Sequence, residues 1–87
     1  MEETKIKSAI QSKIICLVKF DMDIRKVNEE KAYINVMQTE LFKLLKDEST
    51  KLYLESKEFI EEAYSIEINK SSDDMLKFIA KVEKIEK

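Results

Sequence analysis

The chain has 87 residues, of which 44% are apolar and 39% charged, with 16 Lys and Arg against 18 Asp and Glu. This apolar fraction argues against disorder, and a single cysteine excludes an intrachain disulfide scaffold. No apolar run approaches the roughly 18 to 20 residues that a bilayer requires, so the sequence predicts no membrane span. The length of the chain predicts one domain over residues 1–87.

The first half of the chain predicts two helices, because it contains no Gly or Pro to break them and its apolar residues recur at helical spacing. The first helix covers about residues 4–20. The second begins at the acidic cluster 21–23, where either Asp can cap a helix, and extends to about residue 46. The first stripe contains Ile6, Ile10, Ile14, Leu17 and Val18. The second contains Ile24, Val27, Ile34, Met37, Leu41, Leu44 and Leu45, with Tyr33 beside it.

The second half predicts two more helices. Acidic and capping residues at 47–50 favour the start of a third helix that runs to about residue 69. Asn69 can adopt the left-handed conformation that ends a helix, and Ser71 with Asp74 fits the capping-box pattern that starts a fourth. The third stripe contains Leu52, Phe59, Ile60, Ala63, Tyr64 and Ile66 or Ile68. The fourth contains Met75, Phe78, Ile79, Val82 and Ile85.

Four amphipathic helices with short polar connections predict an all-α fold, a small antiparallel four-helix bundle. Two segments leave an α+β alternative open. Residues 13–20 are rich in β-branched side chains, and residues 64–68 alternate as a half-buried strand would. Neither segment has the Gly-containing hairpin turn that usually accompanies such strands, so the helical bundle is preferred.

The missing residue types predict a protein that is not an enzyme and needs no cofactor or metal. Without Gly there is no phosphate-cradling loop, and without His there is neither the usual proton shuttle nor the nitrogen ligand of common zinc and di-iron sites. The lone Cys16 has no adjacent base to activate it and is expected to be a buried, inert thiol.

Residues 14–18 form an apolar run, Ile-Ile-Cys-Leu-Val. At about 100° per residue, five consecutive apolar side chains surround a helix on every side. Either this helix is central and covered by its neighbours, or one flank is an interface with a partner or with a second copy. For the interface, we predict partner-binding residues Ile15, Val18 and Met22.

Charge is distributed unevenly, since residues 1–46 carry nine basic and seven acidic groups and residues 47–87 carry seven and eleven. Glu55, Glu58 and Glu62 recur at helical spacing and form either a solvated face that keeps the domain soluble or an acidic ridge that selects the partner. Phe42 and Tyr53 flank the second connection and are further candidates for an exposed contact patch.

An isoelectric point of about 5.3 and a net charge of −2 argue against nucleic-acid binding, which depends on Lys and Arg neutralising phosphates. The basic region that a DNA- or RNA-binding regulator would use lies mainly on the first helix and includes no stacking aromatic residue. It contains Lys5, Lys7, Lys13, Lys19, Arg25 and Lys26.

The leading hypothesis is a small regulator, inhibitor or immunity-type factor that binds another protein and covers a surface of its target. In size and class, though in no motif, the chain resembles bacteriocin immunity proteins, small phage-encoded inhibitors and secretion or assembly chaperones. Its bias toward Lys, Ile, Glu and Asn is typical of an AT-rich genome, and its start lacks a secretory signal, which predicts a cytoplasmic location. The alternative is a self-associating structural or assembly subunit, a homodimer.

Overall fold

A computed structural model of the protein describes the backbone of residues 2–86 and the side chains of residues 4–81. Between residues 2 and 86 there is no strand, so the predicted all-α helical bundle is confirmed and the α+β alternative is wrong at both 13–20 and 64–68. Over the described backbone the bundle has five α-helices rather than four: α1 (Glu2–Arg25), α2 (Glu29–Met37), α3 (Glu40–Lys46), α4 (Lys57–Asn69) and α5 (Ser72–Glu86). Two single turns of 3₁₀ helix, Glu48–Thr50 and Leu52–Leu54, connect α3 to α4.

Helix α1 continues past its predicted end and includes the whole acidic cluster at 21–23, so the prediction that this cluster starts a second helix was wrong. The helix ends before Lys26, whose φ of 57° is left-handed. Because the chain has no Gly, this conformation falls on a residue for which it costs about 1 kcal/mol. Asn28 then caps α2, since its side chain accepts a hydrogen bond from the Lys31 backbone N–H at 2.8 Å.

The predicted second helix also breaks at Thr39, which separates α2 from α3. The Thr39 hydroxyl accepts from the Phe42 backbone N–H at 3.1 Å and donates to the Val36 carbonyl at 2.7 Å. This break changes which face of the segment is buried. Val36 is buried, whereas Ile34 and Met37, which the continuous helix placed on its apolar stripe, are exposed.

The segment after α3 is not the start of the next helix, as the capping residues at 47–50 suggested, but a pair of 3₁₀ turns. Asp47 accepts hydrogen bonds from the side chain and backbone of Ser49, and these lower the pKa of the Asp47 carboxyl. Lys51 has a left-handed φ of 58° between the two turns. Helix α4 begins at Lys57, after the predicted start at 47–50, because its cap is Ser56, which accepts from the Phe59 N–H at 3.1 Å.

The start of α5 confirms the predicted cap, since the Asp74 N–H donates to the Ser71 hydroxyl at 3.1 Å. Asn69 does not take the left-handed conformation. It is the last residue of α4, and the cap that follows, Lys70, has a φ of −123°. The predicted stripe of α5 is buried at Met75 and Ile79 and half-buried at Phe78, while the side chains of Val82 and Ile85 lie outside those described.

Helix α1 organises the core. Its 24 residues span about 36 Å, which matches the longest dimension of the 37 × 33 × 18 Å molecule. It packs against α2, α3 and α4, and α5 packs against α3 and α4. None of the described helices is long and apolar enough to cross a membrane. The buried apolar residues include Ile14, Leu17, Val36, Leu41, Leu45, Leu52, Ile60, Tyr64 and Met75.

The N-terminus of α3 is capped by a side chain from another helix, Glu67 of α4. Its two carboxylate oxygens accept hydrogen bonds from the backbone N–H groups of Glu40 at 2.7 Å and Leu41 at 3.1 Å. The Ser72 hydroxyl donates to the same carboxylate at 2.8 Å. One carboxylate therefore connects α3, α4 and the first residue of α5, and it lies where the helix dipole favours negative charge.

Replacing Glu67 with Gln should lower the free energy of unfolding by about 1–2 kcal/mol, because an amide has one acceptor oxygen for two N–H groups and removes the charge. The matched control is Glu62→Gln, the same change at an exposed position of the same helix, which should stay within about 0.5 kcal/mol of the natural protein. Urea denaturation followed by circular dichroism measures both. Equal stability of the two variants would remove Glu67 from the account of how α3 is held.

Candidate functional site

A buried carboxylate fixes the geometry of the surface around α1. Asp21 on α1 is fully buried and accepts hydrogen bonds from the Tyr64 hydroxyl of α4 at 2.6 Å and the Asn35 amide of α2 at 3.0 Å. Arg25, one turn further along α1, forms an ion pair with it through Nε at 2.8 Å. The sequence predicted Asp21 as a candidate helix cap, but it instead fastens α2 and α4 to α1.

The cluster around Asp21 has a structural role. Burial, followed by the hydrogen bond to Asp21 and its negative charge, raises the pKa of Tyr64 far above its usual value. The Tyr64 hydroxyl is therefore protonated at neutral pH and stays a donor to the carboxylate. Both oxygens of Asp21 are used, and no buried side-chain polar atom among the described residues lacks a hydrogen-bond partner.

Helices α1 and α2, held together in this way, border an open apolar groove, here called the α1–α2 groove. Lys19 stands on the α1 wall, and Glu29 and Glu30 stand on the α2 wall. The groove can receive apolar side chains between two rims of opposite charge. Its lining comprises Gln11, Ile14, Ile15, Val18 and Lys19 from α1, and Glu29, Glu30 and Tyr33 from α2.

The structure brings together two of the three apolar residues that the sequence predicted for partner binding. Ile15 is 45% exposed at the edge of the groove, and Val18 contributes to its lining. Val18 is nevertheless buried, so it is not the surplus exposed side chain that the all-round apolar run suggested. Met22 is half-buried against the core and does not line the groove. Of the run at 14–18, Ile15 is the residue that remains substantially exposed.

Sequence analysis missed the exposed apolar face of α2. Tyr33, Ile34 and Met37 are 44%, 43% and 44% exposed, and together they form what we call the α2 ridge. The sequence signal that would have revealed this exposed face is local. Asn28 precedes two acidic residues that suit the first turn of a helix, and Thr39 precedes another, so two caps bracket a short helix. With those bounds, Ala32 and Val36 become the buried positions and the ridge faces outward.

The predicted acidic ridge is shorter than expected. Glu58 and Glu62 are exposed on α4, but Glu55 lies before the Ser56 cap and is half-buried, so the three carboxylates do not share one helix as predicted. Elsewhere on α4, Glu61 and Lys57 line a hollow against α1 together with Cys16. Cys16 is half-buried rather than buried.

Other predicted candidates contribute to packing. Phe42 and Tyr53 are both half-buried against the core, and the Tyr53 carbonyl accepts a hydrogen bond from the Lys13 ammonium at 3.3 Å. Within the basic region, Lys13 and Arg25 are thus engaged inside the chain, the second through Asp21. Among the described residues, no group of three or more Cys, Asp or Glu side chains is placed to hold a metal ion.

No protein-family model matches the chain, and no curated protein or solved structure is similar to it at a significant level.

Proposed function

We propose that the protein is a small, non-enzymatic, cytoplasmic factor that acts by binding another protein, in the manner of a regulator, inhibitor or immunity-type factor that covers a surface of its target. The observation that carries the proposal is the exposed apolar surface formed by Ile15 in the α1–α2 groove and by the α2 ridge. Soluble monomers seldom leave neighbouring apolar side chains uncovered unless the surface contacts something else.

The composition of this surface also suits protein recognition. Tyrosine and methionine are enriched at the centres of interfaces, and Tyr33 and Met37 supply them here. Charged side chains at the rim, Lys19 and Glu30, would select the partner and guide its approach. Glu58 and Glu62 on α4 provide a separate acidic region for the same purpose. The absence of His and Gly from the sequence supports a binding role over a catalytic one.

Replacing Ile15 with Asp should reduce target binding at least about tenfold, because it places a carboxylate where the target would bury apolar surface. Immobilised natural protein and the Ile15→Asp variant would be compared by quantitative affinity capture from cells of the source organism. The dissociation constant of each enriched protein would then be measured in purified form.

The matched control is Leu76→Asp, the same kind of change at a 39% exposed leucine on α5, which packs on α3 and α4 away from the groove. It should leave binding unchanged. Circular dichroism checks that each variant keeps its helices. If a captured protein binds the two variants equally well, the groove is not its docking surface. The double reversal Glu58→Lys and Glu62→Lys should weaken binding and its salt dependence if the acidic pair selects the target.

A further inference from the structure

The two walls of the α1–α2 groove carry opposite charges that form no ion pair with each other within the described residues. Lys19 projects from α1, while Glu29 and Glu30 stand on α2, and all three are exposed. No ion pair joins Lys19 to either glutamate within the described residues, where the ion pairs are those of Asp21 with Arg25 and of Glu40 with Lys43. The groove therefore presents one positive and one negative rim to whatever occupies it.

The α2 ridge lies directly beside the groove on the same surface. Tyr33 belongs to both features, since it lines the groove and begins the ridge that continues through Ile34 and Met37. Glu30 is one helical turn before Tyr33 and Ile34 and so shares their face. One surface thus contains a hollow with one basic and one acidic rim and, next to it, an apolar ridge that shares Glu30 with the acidic rim.

We propose that the occupant of the α1–α2 groove is a second copy of this chain, related by a twofold axis. In a twofold interface every contact occurs twice, with the two residues exchanged between the copies. The α2 ridge of each copy would lie in the groove of the other, so that Ile15 contacts an apolar residue of the ridge in both directions. Each Lys19 would face Glu30 of the opposite copy, which pairs two of the three charges that form no ion pair in one chain.

This inference rests on the proposed function, because it assigns a partner to the same groove. A surface that carries both members of a complementary pair, in shape and in charge, favours self-association over an unrelated protein that would have to supply both. A target that binds the groove would then compete with the second copy, and dimer dissociation would regulate target binding.

The test is the solution mass, measured by light scattering and sedimentation velocity across about a hundredfold range of concentration. The expected result is a reversible shift from 10.3 kDa to twice that mass. Lys19→Glu and Glu30→Lys should each raise the dimer dissociation constant about tenfold or more, because each places like charges opposite one another at both symmetric contacts. Lys81→Glu, an exposed change on α5, is the control and should leave the constant unchanged.

Mixing the Lys19→Glu and Glu30→Lys variants should restore dimers, since in the mixed pair both contacts join opposite charges. The double variant should also dimerise with itself. A monomer at every concentration, or a dimer unaffected by the charge changes, overturns the inference. If the natural protein is monomeric but the Ile15→Asp variant no longer binds a captured target, the proposed function stands. Only the inference that a second copy occupies the groove is then rejected. If dimers form as expected and the Ile15→Asp variant still binds every protein that the natural chain captures, the groove serves self-association alone. The proposed regulatory function then fails.

Discussion

Replacing Asp21 with Ala should lower the free energy of unfolding by about 2–4 kcal/mol, a large share of the 5–15 kcal/mol typical of a whole domain. The carboxylate is fully buried and accepts hydrogen bonds from Tyr64 and Asn35. It also forms an ion pair with Arg25. Its removal leaves the buried Tyr64 hydroxyl without its acceptor and opens a small cavity between three helices. Urea denaturation followed by circular dichroism measures the loss.

Asp23 provides the matched control, because it is an exposed carboxylate two residues along the same helix, and Asp23→Ala should change stability by no more than about 0.5 kcal/mol. A double-mutant cycle with Asp21→Ala and Tyr64→Phe isolates the interaction of these two side chains, because the loss of volume at residue 21 cancels in the cycle, and should give a coupling of about 1–3 kcal/mol. A coupling near zero would mean that the 2.6 Å contact between these side chains adds nothing to stability.

The Asp21 cluster also illustrates what sequence analysis could not provide. An aspartate between two predicted helices fits the pattern of a cap, and its burial depends on Asn35 and Tyr64, which are 14 and 43 residues away. No local pattern reveals that these three side chains meet. The same limit applies to Glu67, whose role at α3 depends on a helix that begins 27 residues before it.

The fold class was accessible because it depends on local properties. The lack of Gly and Pro, together with apolar residues at helical spacing, predicted helices throughout, and residues 2–86 contain no strand. Helix bounds were less accessible, because an apolar stripe continues across the caps Asn28 and Thr39 and predicted one helix there. That one error hid the α2 ridge, since a continuous helix from 21 to 46 placed Ile34 and Met37 on its apolar stripe.

For the candidate partner-binding residues, too, the local pattern was accessible from the sequence and the packing between helices was not. Counting apolar residues on a helix predicted that one side of the run at 14–18 would be in surplus, and Ile15 is the exposed residue. The identity of the exposed side depends on where α2 and α4 pack, which fixes Val18 inside and leaves Met22 half-buried. Their role in binding a partner stays a prediction, as does that of Glu55, Glu58 and Glu62.

Two neighbouring apolar residues of α1 differ in burial, since Leu17 is buried and Ile15 is exposed. Leu17→Ala should lower the free energy of unfolding by about 2–5 kcal/mol, because Leu17 is fully buried and its truncation leaves a cavity in the core. Ile15→Ala, which removes a similar number of atoms two residues away, should stay within about 0.5–1 kcal/mol of the natural protein, since Ile15 is 45% exposed and Ala is the better helix former. Both are measured by urea denaturation at low protein concentration, where self-association contributes least. Similar losses for the two variants would mean that the apolar run is covered on every side, and the groove would then offer no exposed apolar residue of α1 to a partner.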